Sequence, residues 1–164
     1  DLAHLIKALA DMARGIDKRL AEGGPEDRAA FAARVKSLVE DVPDLPDFQR
    51  FHDAFRDDPK SATQEGHMRE AYYMAYDAGN LEYVKLNSKE IDERLAKGPE
   101  LVSAKFVIPY PPGFPIMVPG QVVTKEIITF MRKLDVKEIH GYNAGKGLEL
   151  LKPATLAKHR PKGK

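Results

Sequence analysis

One stretch of sequence decides how the rest of the chain is interpreted: Phe106-Val-Ile-Pro-Tyr-Pro-Pro-Gly-Phe-Pro-Ile-Met-Val-Pro-Gly-Gln121. It contains five prolines and two glycines among apolar residues. Proline fixes φ and has no N–H, so neither a helix nor a central strand can run through this segment. The apolar side chains favour burial, which distinguishes the stretch from an exposed linker. Two interpretations stay open: a rigid buried connector between two strands, or a loop that shapes a ligand pocket.

The composition is that of a soluble globular protein without disulfides. Of the 164 residues, 43% are hydrophobic and 31% are charged, and none is cysteine. No apolar run approaches the roughly 20 residues of a membrane-spanning helix, and the N-terminus does not resemble a signal peptide. We therefore expect a cytoplasmic protein without a membrane partner. The absence of an initiator Met favours a chain that begins inside a longer protein.

Positive charge is concentrated at the C-terminus. Residues 152–164 carry five lysines and arginines and no acid, whereas the rest of the chain has 21 basic and 25 acidic residues. This pattern predicts a basic flexible tail over residues 153–164. The negative charge of the remaining chain does not favour nucleic acid as a partner, because binding to a phosphate backbone requires clustered cations.

Two helices are predicted at the N-terminus. Apolar residues recur there every three or four positions, which is typical of an amphipathic helix with one buried stripe: Leu2, Leu5, Ile6, Leu9, Met12, Ala13, Ile16 and Leu20. Gly23-Gly24 ends this helix, and Pro25 begins a second one that continues to about Val39. Four apolar residues of the second helix are expected to be buried: Phe31, Val35, Leu38 and Val39.

The two helices belong to a predicted helical connecting segment, residues 1–60. Phe48, Phe51 and Phe55 suggest a short third helix within it. The polar, turn-rich residues 57–66 mark the boundary with a second predicted domain over residues 61–152. That domain begins with a helix from about Met68, which ends before Gly79-Asn80.

Strands and helices alternate after residue 80. Capping residues Ser88 and Thr124 predict helices that end near Ala96 and Leu134. Strands are predicted over four ranges: residues 81–86, 101–108, 136–142 and 148–151. In the second of these, alternation places Val102 and Ala104 on one face and Lys105 on the more polar face. N-terminal helices followed by a mixed strand-helix domain with a small sheet predict the α+β class.

Short motifs do not identify an active site by their chemistry. Residues 141–147 have one residue too few between glycines for a phosphate loop and lack the Ser or Thr that binds magnesium, so a hairpin turn is predicted. The five histidines lack metal-ligand spacing, and no metal site is expected. His140 ends a predicted strand, where it either has a structural hydrogen bond or titrates near neutral pH. The tyrosines of residues 72–76 fit a core better than an aromatic binding stripe.

Two motifs resemble a known family. The first is Val102-Ser-Ala-Lys-Phe-Val-Ile-Pro-Tyr-Pro-Pro-Gly-Phe-Pro-Ile-Met-Val-Pro-Gly120, and the second, after a predicted helix, is Glu138-Ile-His-Gly-Tyr142. Together they resemble the C-terminal domain of the bacterial ornithine/lysine/arginine decarboxylases, pyridoxal-phosphate enzymes of the aspartate-aminotransferase-like fold. The resemblance covers about residues 66–151. The family usually has Glu where this chain has Gln121, which puts a charge-dependent role of that position in doubt.

The resemblance implies a parent enzyme that uses pyridoxal phosphate. In such enzymes a lysine carries the cofactor, and the family's lysine follows a His in a Ser-x-His-Lys segment that this chain lacks. Lys105 is the only substitute in an apolar context, and it is predicted on the more polar strand face. We therefore expect this fragment alone to bind no pyridoxal phosphate and to catalyse no decarboxylation.

The resemblance also implies what the domain does in its parent. The reaction would release the α-carboxylate of arginine, lysine or ornithine as carbon dioxide. The domain would cover the active-site approach of the catalytic part of the same protein and support a homo-oligomer. The residues expected to form this surface are Tyr110, Pro111, Pro112, Gly113, Phe114 and His140. The alternative is a stand-alone binding or assembly module, and the gene sequence upstream of Asp1 distinguishes the two.

Overall fold

A computed structural model of the chain describes residues 1–40, 44–110, 113–134 and 138–159. The chain divides into two compact units, Asp1–Val42 and Pro43–Lys164. The first contains helices α1 (Leu2–Glu22) and α2 (Pro25–Val39). The second contains α3 (Met68–Met74), β1 (Leu81–Val84), α4 (Lys89–Lys97), β2 (Ile108–Tyr110), α5 (Lys125–Lys133), β3 (Glu138–His140), β4 (Tyr142–Asn143), β5 (Gly147–Leu151) and α6 (Pro153–Lys158). Helices combined with small antiparallel sheets confirm the α+β class.

The limits of α1 and α2 follow from local capping. The Asp1 carboxylate accepts a hydrogen bond from the His4 N–H at 3.1 Å, which satisfies one of the free donors at the start of α1. At the start of α2, the Asp27 carboxylate accepts from the Gly24 N–H at 3.1 Å. Pro25 occupies the first turn, where its missing N–H costs nothing. Both helices therefore begin and end where the sequence predicts.

The predicted burial of these two helices is wrong. No residue of α1 is buried, and Leu2, Leu9 and Met12 are each more than half exposed. In α2, Phe31 and Val39 are exposed as well, as is Val35, whereas the Leu38 side chain lies outside the described part. An amphipathic stripe is buried only when other elements cover it, and two helices alone cannot enclose it.

The second unit has two hydrophobic cores. The first lies among α4, α5 and the three-stranded sheet, and its buried residues include Val84, Ile91, Leu101, Val107, Met117, Val123, Ile127, Ile128, Leu148 and Leu150. The second core joins α3 and α6 to the segment before α3. Its buried residues are Phe51, Ala54, Phe55, Ala71, Ala75, Leu81, Val102, Ala104, Leu151 and Leu156. Burial of these side chains provides the main stabilisation of the unit.

The second unit has two small antiparallel sheets, and the three-stranded one contributes residues to both cores. One has the strand order β1-β5-β4, with Leu81 opposite Leu151 and Tyr142 opposite Leu148. The other pairs β2 with β3. The turn between β4 and β5 is closed by the Asn143 side chain, whose oxygen accepts from the Gly145 N–H at 2.9 Å and from the Lys146 N–H at 3.0 Å. This geometry confirms the predicted hairpin turn over residues 141–147.

The proline-rich stretch forms the end of an irregular hairpin. We call residues 101–107 and 116–123 the stem, and residues 108–115 the tip. In the stem, Ser103 donates its N–H to the Gln121 carbonyl at 2.9 Å, and the Gly120 N–H returns to the Ser103 carbonyl at 2.8 Å. Nearer the tip, the Val107 N–H donates to the Met117 carbonyl at 2.9 Å. Most of the stem is buried, whereas Tyr110 and Phe114 in the tip are exposed.

The strand predicted over residues 101–108 is not regular. Its residues form isolated bridges to different partners, and only Ile108 belongs to a named strand, β2. Ser103 and Ala104 are both buried, although they are neighbours that alternation would place on opposite faces. Ser103 tolerates burial because its hydroxyl donates to the Lys105 carbonyl at 2.7 Å.

The segment before α3 packs with the second unit. Phe51 and Phe55 lie in its core, and a single 3₁₀ turn at Asp53–Phe55 replaces the predicted third helix. The division between the units, after Val42, therefore comes before the boundary predicted between residues 60 and 61. Residues 153–158, which belong to the predicted basic flexible tail, form α6, and Leu156 is buried in the same core.

Gln121 connects the stem to the segment before α3 by hydrogen bonds. Its side-chain oxygen accepts from the Val118 N–H at 2.9 Å, and its side-chain nitrogen donates to the Gln49 carbonyl at 3.0 Å. Gln121 is buried and forms a backbone bridge with Phe51. The site therefore uses both the acceptor and the donor of the amide. A carboxylate could replace the acceptor but not the donor.

We predict that Gln121→Glu lowers the free energy of unfolding by about 2 kcal/mol or more, because it buries a charge and leaves the Gln49 carbonyl without its donor. Urea unfolding of the purified chain measures the change. Gln64→Glu is the matched control, since Gln64 is exposed. Equal unfolding free energies for the two variants would contradict the assigned role of the amide.

His52 begins the 3₁₀ turn at Asp53–Phe55. Its Nδ1 atom accepts from the Ala54 N–H at 3.1 Å, which requires that nitrogen to be unprotonated. Burial lowers the pKa of His52 below its ordinary value, and this effect exceeds the opposing effect of Glu100, whose carboxylate lies 3.8 Å from Nε2. The folded chain thus favours the neutral imidazole.

We expect this histidine to make the chain less stable as the pH falls below about 6.5. The unfolded chain takes up the proton at a higher pH than the folded chain. The free energy of unfolding is therefore unaffected by this group above pH 6.5 and decreases as the pH falls below 6.5. His52→Asn keeps an oxygen acceptor for the Ala54 N–H and removes the titration. Urea unfolding at several pH values should give a shallower acid decrease for the variant; identical pH profiles would refute the assignment.

Candidate functional site

Two of the predicted site residues meet across the ladder of β2 and β3. Ile108 lies opposite His140, and Tyr110 lies opposite Glu138. The rings of Tyr110 and His140 pack edge to face, with centroids 6.1 Å apart. The His140 Nε2 atom is 3.7 Å from a Glu138 carboxylate oxygen. The structure thus brings the two sequence motifs, Pro-Tyr-Pro-Pro-Gly and Ile-His-Gly, to one place.

The glycine of the second motif explains why the motifs meet. Gly141 has φ +79°, and a Cβ at this position would lie 1.9 Å from the Phe106 carbonyl oxygen. Any side chain would therefore displace the backbone that leads into the tip. Gly141 allows β3 to approach β2 and places His140 beside Tyr110.

The tip turns at Gly113. This residue has φ +82°, and its N–H donates to the Pro109 carbonyl at 3.0 Å. The position that a Cβ would take lies 3.4 Å from the Tyr110 ring, so the turn also packs against that ring. Pro111 and Pro112, which were predicted to belong to the site, lie outside the described residues.

Phe114 forms part of an exposed apolar surface. It lines a pocket of about 250 Å³ with Leu45, Pro46, Asp47, Phe48, Pro115 and Ile116. We define the tip surface as three exposed residues of this pocket together with Tyr110, which is exposed in the tip; the exposed fractions are 75% for Leu45, 71% for Phe48, 56% for Phe114 and 55% for Tyr110. Sequence reasoning missed Leu45 as a surface residue and assigned Phe48 to a helix. The only sequence feature that links Leu45 and Phe48 to the tip is that both are apolar residues close to prolines, as in the tip itself.

The tip surface is suited to contact and not to chemistry. Its members are apolar or aromatic, and His140 with Glu138 supplies the titratable groups beside it. Within the described residues, no group of three or more His, Asp or Glu side chains is arranged to hold a metal ion. An exposed apolar patch of this kind is typical of a surface that meets another protein part or a ligand.

Lys105 lies apart from the tip surface, in a cleft of about 340 Å³ beside the three-stranded sheet. Its ammonium is 3.4 Å from one Glu149 carboxylate oxygen, and the Tyr83 hydroxyl donates to the other at 3.4 Å. Lys146 lies over the Tyr83 ring at 5.5 Å. A lysine that carries pyridoxal phosphate must act as a free, desolvated amine. An ion-paired, partly exposed Lys105 does not fit this role.

We therefore predict that, when the purified chain is mixed with pyridoxal phosphate and reduced with borohydride, Lys105 is labelled no more than Lys146, which lines the same cleft. The ammonium is held by Glu149, and the cleft is open to water. Intact mass and peptide mapping make the measurement, with Lys105→Ala and Lys146→Ala as matched variants. Stoichiometric labelling that Lys105→Ala alone abolishes would contradict the prediction.

No helix in the described ranges has both the length and the apolar character needed to cross a bilayer.

Parts of the chain are similar to known lysine decarboxylases. A curated lysine decarboxylase from Hafnia alvei is 40% identical over 47 residues, which are 27% of this chain and 6% of that protein. The crystal structure of the Francisella novicida lysine decarboxylase LdcF and the structure of the E. coli constitutive lysine decarboxylase are each 24% identical to this chain. Their TM-scores are 0.37 and 0.36, and each match covers 52% of this chain and 13% of the other.

This chain thus spans a small part of the length of these relatives. A family profile described as "Orn/Lys/Arg decarboxylase, C-terminal domain" matches residues 49–143, which is more than half of the chain. The matched residues include both motifs and the stem. Of the tip surface, they include Tyr110 and Phe114 but not Leu45 or Phe48. The chain belongs to the family of Orn/Lys/Arg decarboxylase C-terminal domains.

Proposed function

We propose that this chain is the C-terminal domain of a cytoplasmic, pyridoxal-phosphate-dependent decarboxylase that acts on arginine, lysine or ornithine. Family membership supports a decarboxylase parent. The cofactor and the catalytic groups then belong to another part of the same protein, because Lys105 is engaged by Glu149. The parent releases the α-carboxylate of its substrate as carbon dioxide and works as a homo-oligomer.

The tip surface packs against the catalytic part and covers the approach to its active site. The observation that carries this proposal is the contrast between a buried stem and an exposed aromatic tip. The stem fixes the tip backbone, so the tip can present Tyr110 and Phe114 with little loss of conformational entropy. Such a cover excludes water and positions the substrate.

The chemistry of the surface suits a basic substrate. The π faces of Tyr110 and Phe114 attract ammonium and guanidinium groups. Glu138, which is exposed beside His140, adds negative charge at the same edge. Arginine, lysine and ornithine all carry a cationic group at the end of the side chain, so the tip surface favours their approach over that of acidic amino acids.

We expect Tyr110→Ala and Phe114→Ala in the full-length parent to lower kcat/KM by about tenfold to a hundredfold, because a displaced cover misplaces substrate and admits water. Gly113→Ala should have a similar effect, since φ +82° strains a residue with a Cβ. Steady-state decarboxylation makes the measurement, and sedimentation follows assembly.

Tyr73→Ala is the matched control, because Tyr73 is at least as exposed as Tyr110 but lies on α3. Wild-type kcat/KM and assembly in all three tip variants would overturn the covering role. A loss of activity in Tyr73→Ala equal to that in Tyr110→Ala would also overturn it, since the effect would then not be specific to the tip surface.

A further inference from the structure

Three tyrosines cluster at the C-terminal end of α3. The ring centroids of Tyr72, Tyr73 and Tyr76 lie between 5.5 and 6.1 Å from one another. The sequence predicts that these residues belong to a core, but Tyr73 and Tyr76 are exposed and Tyr72 is half-buried. The core prediction is therefore wrong for Tyr73 and Tyr76, and their phenol groups are accessible to reagents in solution.

Tyr72 and Tyr76 form a hydrogen-bonded pair within this cluster. Their hydroxyl oxygens are 3.0 Å apart, so one phenol donates to the other. The two rings pack edge to face, with centroids 5.5 Å apart. Side chains four residues apart on a helical turn lie next to each other, and the Tyr72 ring also packs against Phe106 of the stem, with centroids 6.1 Å apart. The fold thus holds the two hydroxyl groups together.

This arrangement suits one particular reaction of phenols. When a phenol loses one electron and one proton, the unpaired electron is shared between the oxygen and the ring carbons next to the C–O carbon. Two such radicals join through those ring carbons, so the two hydroxyl groups of the product lie side by side. In Tyr72 and Tyr76 the hydroxyl groups already lie side by side, and the carbons that would react are therefore close before any oxidation.

We propose that Tyr72 and Tyr76 are a site of oxidative cross-linking, at which a peroxidase and hydrogen peroxide join the two rings as dityrosine. Each phenol loses the hydrogen of its O–H group as one electron and one proton. A C–C bond then forms between one Cε atom of each ring, and the hydrogen on each of these carbons moves to the oxygen and restores the hydroxyl group. The peroxide takes up the two electrons and two protons and becomes two molecules of water.

The hydrogen bond explains how the half-buried partner is oxidised. Tyr76 is exposed and meets the oxidant directly. Its radical takes the hydrogen atom of the Tyr72 hydroxyl across the 3.0 Å contact, after which the oxidant acts on Tyr76 a second time. The chain contains no cysteine, whose thiol would return a hydrogen atom to a tyrosyl radical and prevent the coupling.

The cross-link is separate from the tip surface and does not depend on the proposed function. It spans the helical turn at the end of α3, where the Ala75 N–H donates to the Tyr72 carbonyl at 3.2 Å. A C–C bond is not broken by the reductants that open disulfides. The modified chain therefore keeps a permanent covalent record of its exposure to the oxidant.

Treatment of the 164-residue chain with a haem peroxidase and limiting hydrogen peroxide tests the site. The chain is kept dilute, and a parallel reaction with N-acetyltyrosine shows that the oxidant is active. We expect the monomer to gain dityrosine fluorescence and to lose the mass of two hydrogen atoms. Tyr72→Phe and Tyr76→Phe should each abolish this product, because phenylalanine has no hydroxyl group to oxidise. Tyr73→Phe is the matched control: it removes a neighbouring exposed phenol, and the yield should stay the same.

An unchanged monomer mass under conditions that couple N-acetyltyrosine would overturn the proposal, as would dityrosine that forms only between chains. An equal loss of product in Tyr73→Phe and Tyr76→Phe would also overturn it, since the reaction would then not depend on the hydrogen-bonded pair. The same reaction in concentrated urea tests whether the fold positions the rings. The yield should fall there because α3 unfolds, and equal yields in buffer and in urea would contradict the role of the helical turn.

Discussion

Backbone pairing within the stem holds the second unit together, because the stem lies in both of its cores. Val102 packs with Phe51 and Leu151, whereas Val107 and Met117 pack with the residues of α4 and α5. The hydrogen bonds between residues 101–107 and 116–123 therefore fix the two cores relative to one another. Gln121 extends this pairing to the segment before α3. The position of the tip follows from these contacts.

The two interpretations that the sequence left open for residues 106–121 apply to different parts of the stretch. The stem part, with Met117 fully buried, is the rigid connector. The tip part, with Tyr110 and Phe114 exposed, has the features of a binding surface, and its role at an active site is a proposal. A proline-rich segment can combine both properties because its stiffness does not depend on burial.

Element limits could be predicted because their signals are local. Ser88 accepts from the Ile91 N–H and Thr124 from the Ile127 N–H, so each side chain starts its helix three residues before the amide that it caps. Burial could not be predicted in the same way. The stripe of α1 indicates a face that favours burial but not what covers it. The expectation of one polar strand face failed at Ser103, which is buried like Ala104, because the stem has neighbours on both sides.

The candidate site was predictable only where its motifs are contiguous. Tyr110, Gly113 and Phe114 belong to one run of sequence, and His140 to a second motif that the resemblance had joined to it. Leu45 and Phe48 reach the same surface from a distant segment, and nothing in their local pattern names Phe114 as a neighbour. Such contacts between distant segments are set by the tertiary fold.

The prolines of the tip also bear on solubility. Strands of other molecules can pair with an exposed apolar hairpin end, because its free N–H groups and carbonyls form a template for aggregation. Pro109 and Pro115 have no N–H to offer, and the sequence places two further prolines between them. This segment can therefore keep a large apolar surface in water without becoming an edge for intermolecular β-sheet growth.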